Sequence, residues 1–237
     1  MSAAPLRSRI ARAAAAAGVA AVMAYGVWYA FDGLSQEPVR RVVIAGDARK
    51  LVRADLEAFA DSIRGLPASG PSLAAIRDAA RRLAWVRDAT VRRRFPGTVE
   101  VTFEAHEPLA RWSDDALVSV KGEVFNVEFA GALPRFRGNA NAAATMAHEY
   151  PAIAQALEPL AAKVAELRLS PRGAWELVLD SGLVVALGRG DIHARLERFV
   201  AAWPRLPADA RSTARADLRY GTGFALRVDP HPGRGTR

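Results

Sequence analysis

Hydrophobic and polar positions beyond the first 40 residues follow two periods, which predict a mixture of helices and strands. Apolar residues dominate 41–45, a pattern typical of a short strand. The stretches 53–64 and 72–83 repeat apolar residues every three or four positions and predict two amphipathic helices. Two further strand patterns cover 88–94 and 98–106. The predicted order of elements is therefore β-α-α-β-β.

The strand predicted at 98–106 has one apolar and one polar face. Val99, Val101 and Phe103 alternate with threonine and glutamate. Such alternation is typical of a sheet that packs on a core with one face and meets water with the other. Trp85 lies where the second helix leads into the sheet, and we expect its side chain in the core of this unit.

The pattern changes after Pro108, where a second unit is predicted over 108–228, rich in strands and with two helical inserts. Pro151 is expected to open the first of these helices, because proline suits the first helical position. Asp191 is expected to cap the second helix. Strand patterns recur at 117–120, 123–125, 164–169, 174–180, 183–187, 213–220 and 224–228. Residues 229–237 are rich in proline, glycine and arginine and predict a disordered tail.

The start of the chain has the pattern of a membrane anchor. Residues 1–12 contain three arginines and no acid, and 13–31 then runs without a charge. A helix of that length spans about 28 Å, close to the hydrocarbon thickness of a bilayer. The arginines predict a cytoplasmic N-terminus, with the chain beyond Asp32 on the other side. A cleaved signal peptide is the competing interpretation, but its apolar run is usually shorter and ends at small residues.

Composition narrows the chemistry that the chain can perform. The 237 residues include no cysteine, which excludes disulfides and cysteine nucleophiles, and the net charge is +8. A basic chain is compatible with nucleic acid, but a location outside the cytoplasm argues against it. The four histidines have no metal-ligand spacing and predict surface positions. This spacing argues against a metal site. The glycine-containing loop 188–190 has no βαβ unit around it, so a dinucleotide cofactor is not expected either.

Four strings are spread along the chain: LAWVRDATVRRRFP at 83–96, EPLARW at 107–112, LGRGDIHARLERF at 187–199 and ADLRYGTG at 216–223. Together they resemble the FtsQ/DivIB family of bacterial cell-division proteins. Each string is short, but the four occur in the family's order behind a basic start and an apolar segment. The resemblance covers the chain from the anchor to about residue 228.

The resemblance implies an α+β protein with a single transmembrane helix at 13–31, a POTRA domain at 37–107 and a mostly antiparallel β domain at 108–228. It implies a non-enzymatic scaffold in the bacterial inner membrane, with its bulk in the periplasm at the division septum. The implied partners are the small coiled-coil proteins FtsB and FtsL, and other division proteins through the POTRA domain. Two alternatives stay open: an anchored periplasmic enzyme, and a POTRA protein of a secretion or assembly system.

A candidate partner site lies at the end of the predicted sheet. The final strands, 213–220 and 224–228, present an edge that a partner strand could extend. Gly221 and Gly223 allow close backbone approach, and Arg219 can donate to a carboxylate through a planar fork. The family resemblance also implies a role for Arg172, in a turn before an earlier strand. The expected partner-binding residues are Arg172, Arg219, Tyr220, Thr222 and Gly223.

Overall fold

The computed structural model describes residues 17–29, 38–67, 70–94, 96–113 and 115–227. They divide into two compact units, with the division between Ala105 and His106. Residues 17–29 form a helix, α1, while the remainder of the 13–31 segment lies outside the described residues. The expected cytoplasmic tail and disordered tail also lie outside them. Within the described part of the chain, no helix is both long enough and apolar enough to cross a membrane.

The first unit has the predicted β-α-α-β-β order. Its elements are β1 (Arg41–Gly46), α2 (Arg53–Ile63), α3 (Gly70–Ala80), β2 (Val86–Arg94) and β3 (Thr98–Ala105). The strand order in the sheet is β1-β3-β2. β1 runs parallel to β3, while β2 and β3 are antiparallel and joined by a tight connection. The prediction of element types and order is confirmed for this unit.

The core of the first unit forms between the two helices and the apolar face of the sheet. Val99, Val101 and Phe103 are buried, as their alternation predicts. Phe59 of α2 meets Phe103 edge-on, with ring centroids 5.6 Å apart. The prediction for Trp85 is wrong in part. Its side chain is only partly buried and packs at the margin of the core, because it precedes β2 in the turn after α3.

The second unit is built on one nine-stranded sheet. Its elements are β4 (Pro108–Trp112), β5 (Ala116–Ser119), β6 (Val124–Phe125), β7 (Arg135–Arg137), α4 (Ala142–Leu157), β8 (Val164–Leu169), β9 (Trp175–Leu179), β10 (Val184–Gly188), α5 (Ile192–Ala202), α6 (Ala208–Arg211), β11 (Arg215–Asp217) and β12 (Ala225–Arg227). The strand order is β12-β11-β10-β9-β8-β7-β4-β5-β6. Five neighbouring pairs are antiparallel, and three are parallel: β4 with β7, β7 with β8, and β10 with β11.

Helix α4 differs from the prediction. It begins at Ala142, so Pro151 lies inside the helix rather than at its start. An internal proline removes one backbone hydrogen bond and costs about 3 kcal/mol. Burial on both sides of the proline offsets this cost, since Met146 and Ile153 are completely buried. The Ala-rich segment before Pro151 is therefore helical because it packs, although its sequence has no clear periodicity.

The two faces of the large sheet differ in chemistry. Helices α4 and α5 share one core with inward-facing strand residues such as Leu177, Val185 and Leu187. Helix α5 begins as predicted, with the Asp191 carboxylate accepting a hydrogen bond from the Ala194 amide at 3.1 Å. The alternate strand residues lie on the opposite face, and many of them are charged. The large sheet therefore has one apolar face that packs on helices and one face rich in charged residues.

Candidate partner-binding site at the last sheet edge

Strand β12 lies at one end of the large sheet. The hydrogen bonds of its neighbour β11 show which backbone amides and carbonyls of β12 point away from the sheet. The Val184 amide of β10 donates to the Ala214 carbonyl at 3.0 Å, and the Leu218 amide donates to the Ala186 carbonyl of β10 at 2.8 Å. Even-numbered residues of β11 therefore bond to β10, and the odd-numbered ones face β12, paired with Ala225 and Arg227. By the same alternation, the amide and carbonyl of Leu226 point away from the sheet.

The loop from β11 to β12 exposes the aromatic residue of the predicted site. The strand expected at 213–220 is shorter in the structure, so Tyr220 lies in the loop, and its side chain is 57% exposed. Its neighbour Leu218 is buried. Apart from the residues next to each glycine in the chain, no described residue has an atom within 4 Å of a Cβ built on Gly221 or Gly223. Gly221 and Thr222 are exposed, while Gly223 and Phe224 are partly buried, so the accessible part of the loop is 220–222.

Arg219 is exposed, but its guanidinium is already engaged. Its Nε donates to Asp217 Oδ1 at 2.8 Å and its Nη2 to Asp217 Oδ2 at 2.6 Å, while its backbone amide donates to Oδ1 at 3.1 Å. The guanidinium bonds hold the pKa of Asp217 below its usual value. The donor fork expected for a partner carboxylate is therefore occupied by Asp217, and an incoming carboxylate must share or replace this contact.

Arg172 lies apart from this loop in the chain, in the turn between β8 and β9. The Gly173 amide donates to the Ser170 carbonyl at 2.9 Å, which closes the turn and leaves Arg172 exposed. A groove of about 560 Å³ lies between the two regions of the chain and is lined by Ser170 and Pro171, the residues before Arg172, and by Arg219. The structure therefore brings the neighbours of Arg172 and the side chain of Arg219 to one groove.

A row of ion pairs crosses the charged face beside this groove. Glu166 accepts from Arg137 at 3.1 Å and from Arg168 at 2.5 Å. Glu176 in turn accepts from Arg168 at 2.8 Å and from Arg215 at 2.6 Å. The sequence shows charges at alternating strand positions, but their partners come from different strands. Sequence reasoning missed this row because pairing depends on the order of strands in the sheet.

Two arginines of α5 support the loops at this end of the sheet and were not among the predicted site residues. Arg195 Nη1 donates to the carbonyls of Leu187 at 2.7 Å and Arg189 at 2.6 Å. Arg198 Nη1 donates to the carbonyl of Gly221. Their spacing of three residues places them on one face of α5, and this spacing is the feature of the sequence from which they could have been predicted. Their acceptors are backbone atoms, which no sequence pattern marks.

The histidine prediction needs a correction. His106 is buried, and its ring stacks on Phe125 with centroids 4.3 Å apart. His193 contacts Glu149, with 2.6 Å between Nε2 and Oε2. Within the part of the chain that the structure describes, no group of three or more metal-ligating side chains comes together.

Neutralising Asp217 tests the ion pair at the site. Because the pKa of this carboxyl is lowered by folding, its contribution to stability is present above its unfolded pKa of about 3.9 and is lost as pH falls through the folded pKa. We expect Asp217→Asn to lower stability near pH 7 by less than about 1 kcal/mol, since Arg219 is exposed. Thermal melts of both proteins from about pH 7 to pH 3 should converge at the acid end. Asp209→Asn, in α6, serves as the control, and curves that stay parallel at every pH would contradict the assignment.

Comparison with known proteins identifies the family of this architecture. Residues 37–104 match the family model of the POTRA domain, FtsQ-type. Residues 110–219 match the model of cell division protein FtsQ/DivIB, C-terminal. The chain belongs to the FtsQ/DivIB family of cell-division proteins, with a POTRA domain followed by a mostly β domain that contains helices.

Individual relatives support the same family. The chain is similar to cell division protein FtsQ of Xanthomonas campestris, with 32% identity over 82% of this chain and 71% of the relative. It is also similar to FtsQ of Nitrosospira multiformis, with 40% identity over 65% of this chain and 66% of the relative. FtsQ of Bordetella pertussis is 38% identical over 66% of this chain and 65% of its own length. The matched regions thus span just under two thirds of these last two relatives.

Proposed function

We propose that this protein is a non-enzymatic scaffold of the division machinery that binds FtsB and FtsL through the last edge of its large sheet. The observation that carries the proposal is the position of β12 at the end of its sheet, with no strand of the described residues beyond it, next to an exposed tyrosine and a glycine-containing loop. Membership of a cell-division family supports the setting, and the edge supports the mode of binding. No cofactor or substrate chemistry is needed for this role.

The edge has the features required for addition of a strand. The outward amide and carbonyl of Leu226 offer main-chain hydrogen bonds, which give affinity regardless of the partner's side chains. The Leu226 side chain packs on the core and keeps the edge strand in place. Side-chain contacts then select the partner, since Tyr220 offers a rigid aromatic surface.

The charged residues favour an acidic partner. Arg172 is exposed in its turn, and Arg219 lies in the groove beyond it, in contact with Asp217. A carboxylate that approaches the groove must share Arg219 with Asp217 or replace that contact, and Arg172 adds an exposed positive charge in the turn whose residues Ser170 and Pro171 line the groove. Thr222 and Gly223 complete the site within the loop after Tyr220. The partner segment therefore combines a strand with acidic side chains.

The remaining parts of the chain have supporting roles in this proposal. Residues 13–31 anchor the protein in the inner membrane as a single helix, with 1–12 in the cytoplasm and the two folded units in the periplasm. The POTRA domain docks the protein to other division proteins at the septum. Both roles rest on the sequence pattern and on the family.

Two single substitutions test the partner site. We expect Tyr220→Ala and Arg172→Glu each to reduce recovery of FtsB with the full-length protein by at least about tenfold, the equivalent of one buried anchor residue. Neither should change the far-UV circular dichroism spectrum, because both side chains are exposed. Arg205→Ala is the matched control, since Arg205 is exposed and its side chain contacts no described residue through a hydrogen bond or ion pair. Normal recovery of FtsB by both variants would reject the edge as the partner site.

A further inference from the structure

Tyr220 lies between two fixed points of the backbone, and this arrangement has a consequence for the loop. On the N-terminal side, the amide and the guanidinium of Arg219 both bond to Asp217, the last residue of β11. On the C-terminal side, the carbonyl of Gly221 accepts a hydrogen bond from Arg198. Tyr220 itself is 57% exposed. Its position is therefore defined by its two neighbours.

The second fixed point depends on a single side chain from another element. Arg198 lies on α5, whose residues Leu196 and Phe199 are completely buried, so the helix is a rigid base for the contact. Without Arg198, no described side chain donates to the carbonyl of Gly221. Both loop glycines have open space around them and contribute no packing that would restrict the backbone.

Arg195 strengthens this base from the same helix face. It bonds to the carbonyls of Leu187 and Arg189 and so fixes the loop between β10 and α5. Gly188 within that loop has φ +73°, and a Cβ built on it would lie 2.8 Å from Cγ of Arg219. The Arg219 side chain therefore packs closely over this glycine. The two arginines of α5 thus hold both loops that border the exposed tyrosine.

We propose that Arg198 is a positioning residue that holds Tyr220 ready for a partner strand. This inference rests on the proposed function, because it assigns Arg198 to the same partner site. Ordering a flexible loop on binding reduces affinity, and a loop held in its bound conformation avoids that cost. A charged donor on a backbone carbonyl provides this restraint without covering the tyrosine.

Hydrogen exchange of the full-length protein tests the restraint without any partner. In Arg198→Ala, we expect the amide of Arg219, whose exchange is slowed by its hydrogen bond to Asp217, to exchange about tenfold faster as the loop loosens. Amides of β9 and β10 should keep their rates, and Arg205→Ala should change none of them. Unchanged exchange of the loop in Arg198→Ala would overturn the inference, whatever the result for partner binding.

Partner binding then distinguishes positioning from a purely structural role. We expect Arg198→Ala to weaken FtsB binding by about tenfold, and to have little further effect in a Tyr220→Leu background. An equal loss in both backgrounds would show that Arg198 does not act through Tyr220 and would overturn the inference. Full binding by Arg198→Ala with a loosened loop would do the same while leaving the proposed function intact. If the unaltered protein does not bind FtsB, the proposed function fails, and the exchange result still decides the restraint.

Discussion

Replacing Phe199 by alanine is expected to lower the free energy of unfolding of the second unit by about 3–5 kcal/mol and to abolish with it the FtsB binding proposed above. Phe199 is completely buried, with its ring centroid 5.0 Å from that of Trp203 and 5.4 Å from that of Phe224. Phe224 lies directly before β12. Loss of the Phe199 ring therefore leaves a cavity beneath the start of the edge strand. Calorimetry of the full-length chain and recovery of FtsB measure the two effects.

Phe199→Leu is the control for this cavity. Leucine keeps most of the apolar volume, so the loss should be below about 1.5 kcal/mol and FtsB binding should persist. An alanine variant with the melting temperature of the unaltered protein would contradict the position of Phe199 in the core. A variant that keeps its fold but loses FtsB would instead assign Phe199 a direct effect on the edge.

Replacing Phe103 by alanine should destabilise the POTRA domain by a similar amount, about 3–5 kcal/mol. Phe103 is almost completely buried in β3 and meets Phe59 edge-on. The unit is small, and the loss is a large part of the stability that such a domain has. The two hydrophobic cores are separate clusters, so this change and Phe199→Ala should lower different thermal transitions. Calorimetric traces of the two variants, recorded on the full-length chain, make the comparison.

Trp85→Ala is the matched comparison within the same unit. Because Trp85 is only partly buried at the margin of the core, we expect its loss to cost about 1–2 kcal/mol, less than that of Phe103. A larger effect from Trp85 than from Phe103 would contradict the burial described here. The comparison separates residue size from depth in the core, since tryptophan is the larger side chain.

Local periodicity predicted most elements of both units correctly. The order of strands and helices in the POTRA domain followed from the 41–106 pattern, because each element there buries one face against the same core. The cap at Asp191 was also predicted, since capping depends on residues within a single turn. Among the described residues, the last predicted strand lies at one end of its sheet, as β12.

Periodicity failed where packing outweighs local preference. Helix α4 continues through Pro151 because residues on both sides of it are buried, and this gain depends on the sheet that the helix covers. Trp85 is large and apolar, but its place in a turn keeps it at the margin of the core. In both cases the deciding free energy comes from residues that are distant in the sequence.

The sequence by itself determined the family and the types and order of most elements, and it marked the segment around Tyr220 as a candidate site that stays a prediction. Only the tertiary structure decided how that segment is supported. Asp217 occupies the fork of Arg219 because one loop turns back on the strand before it, and Arg198 reaches Gly221 from a helix more than 20 residues earlier. These contacts end on carboxylates and backbone carbonyls, which occur throughout any chain. Their pairing depends on how the sheet and α5 are arranged in space, and a one-dimensional pattern does not contain that arrangement.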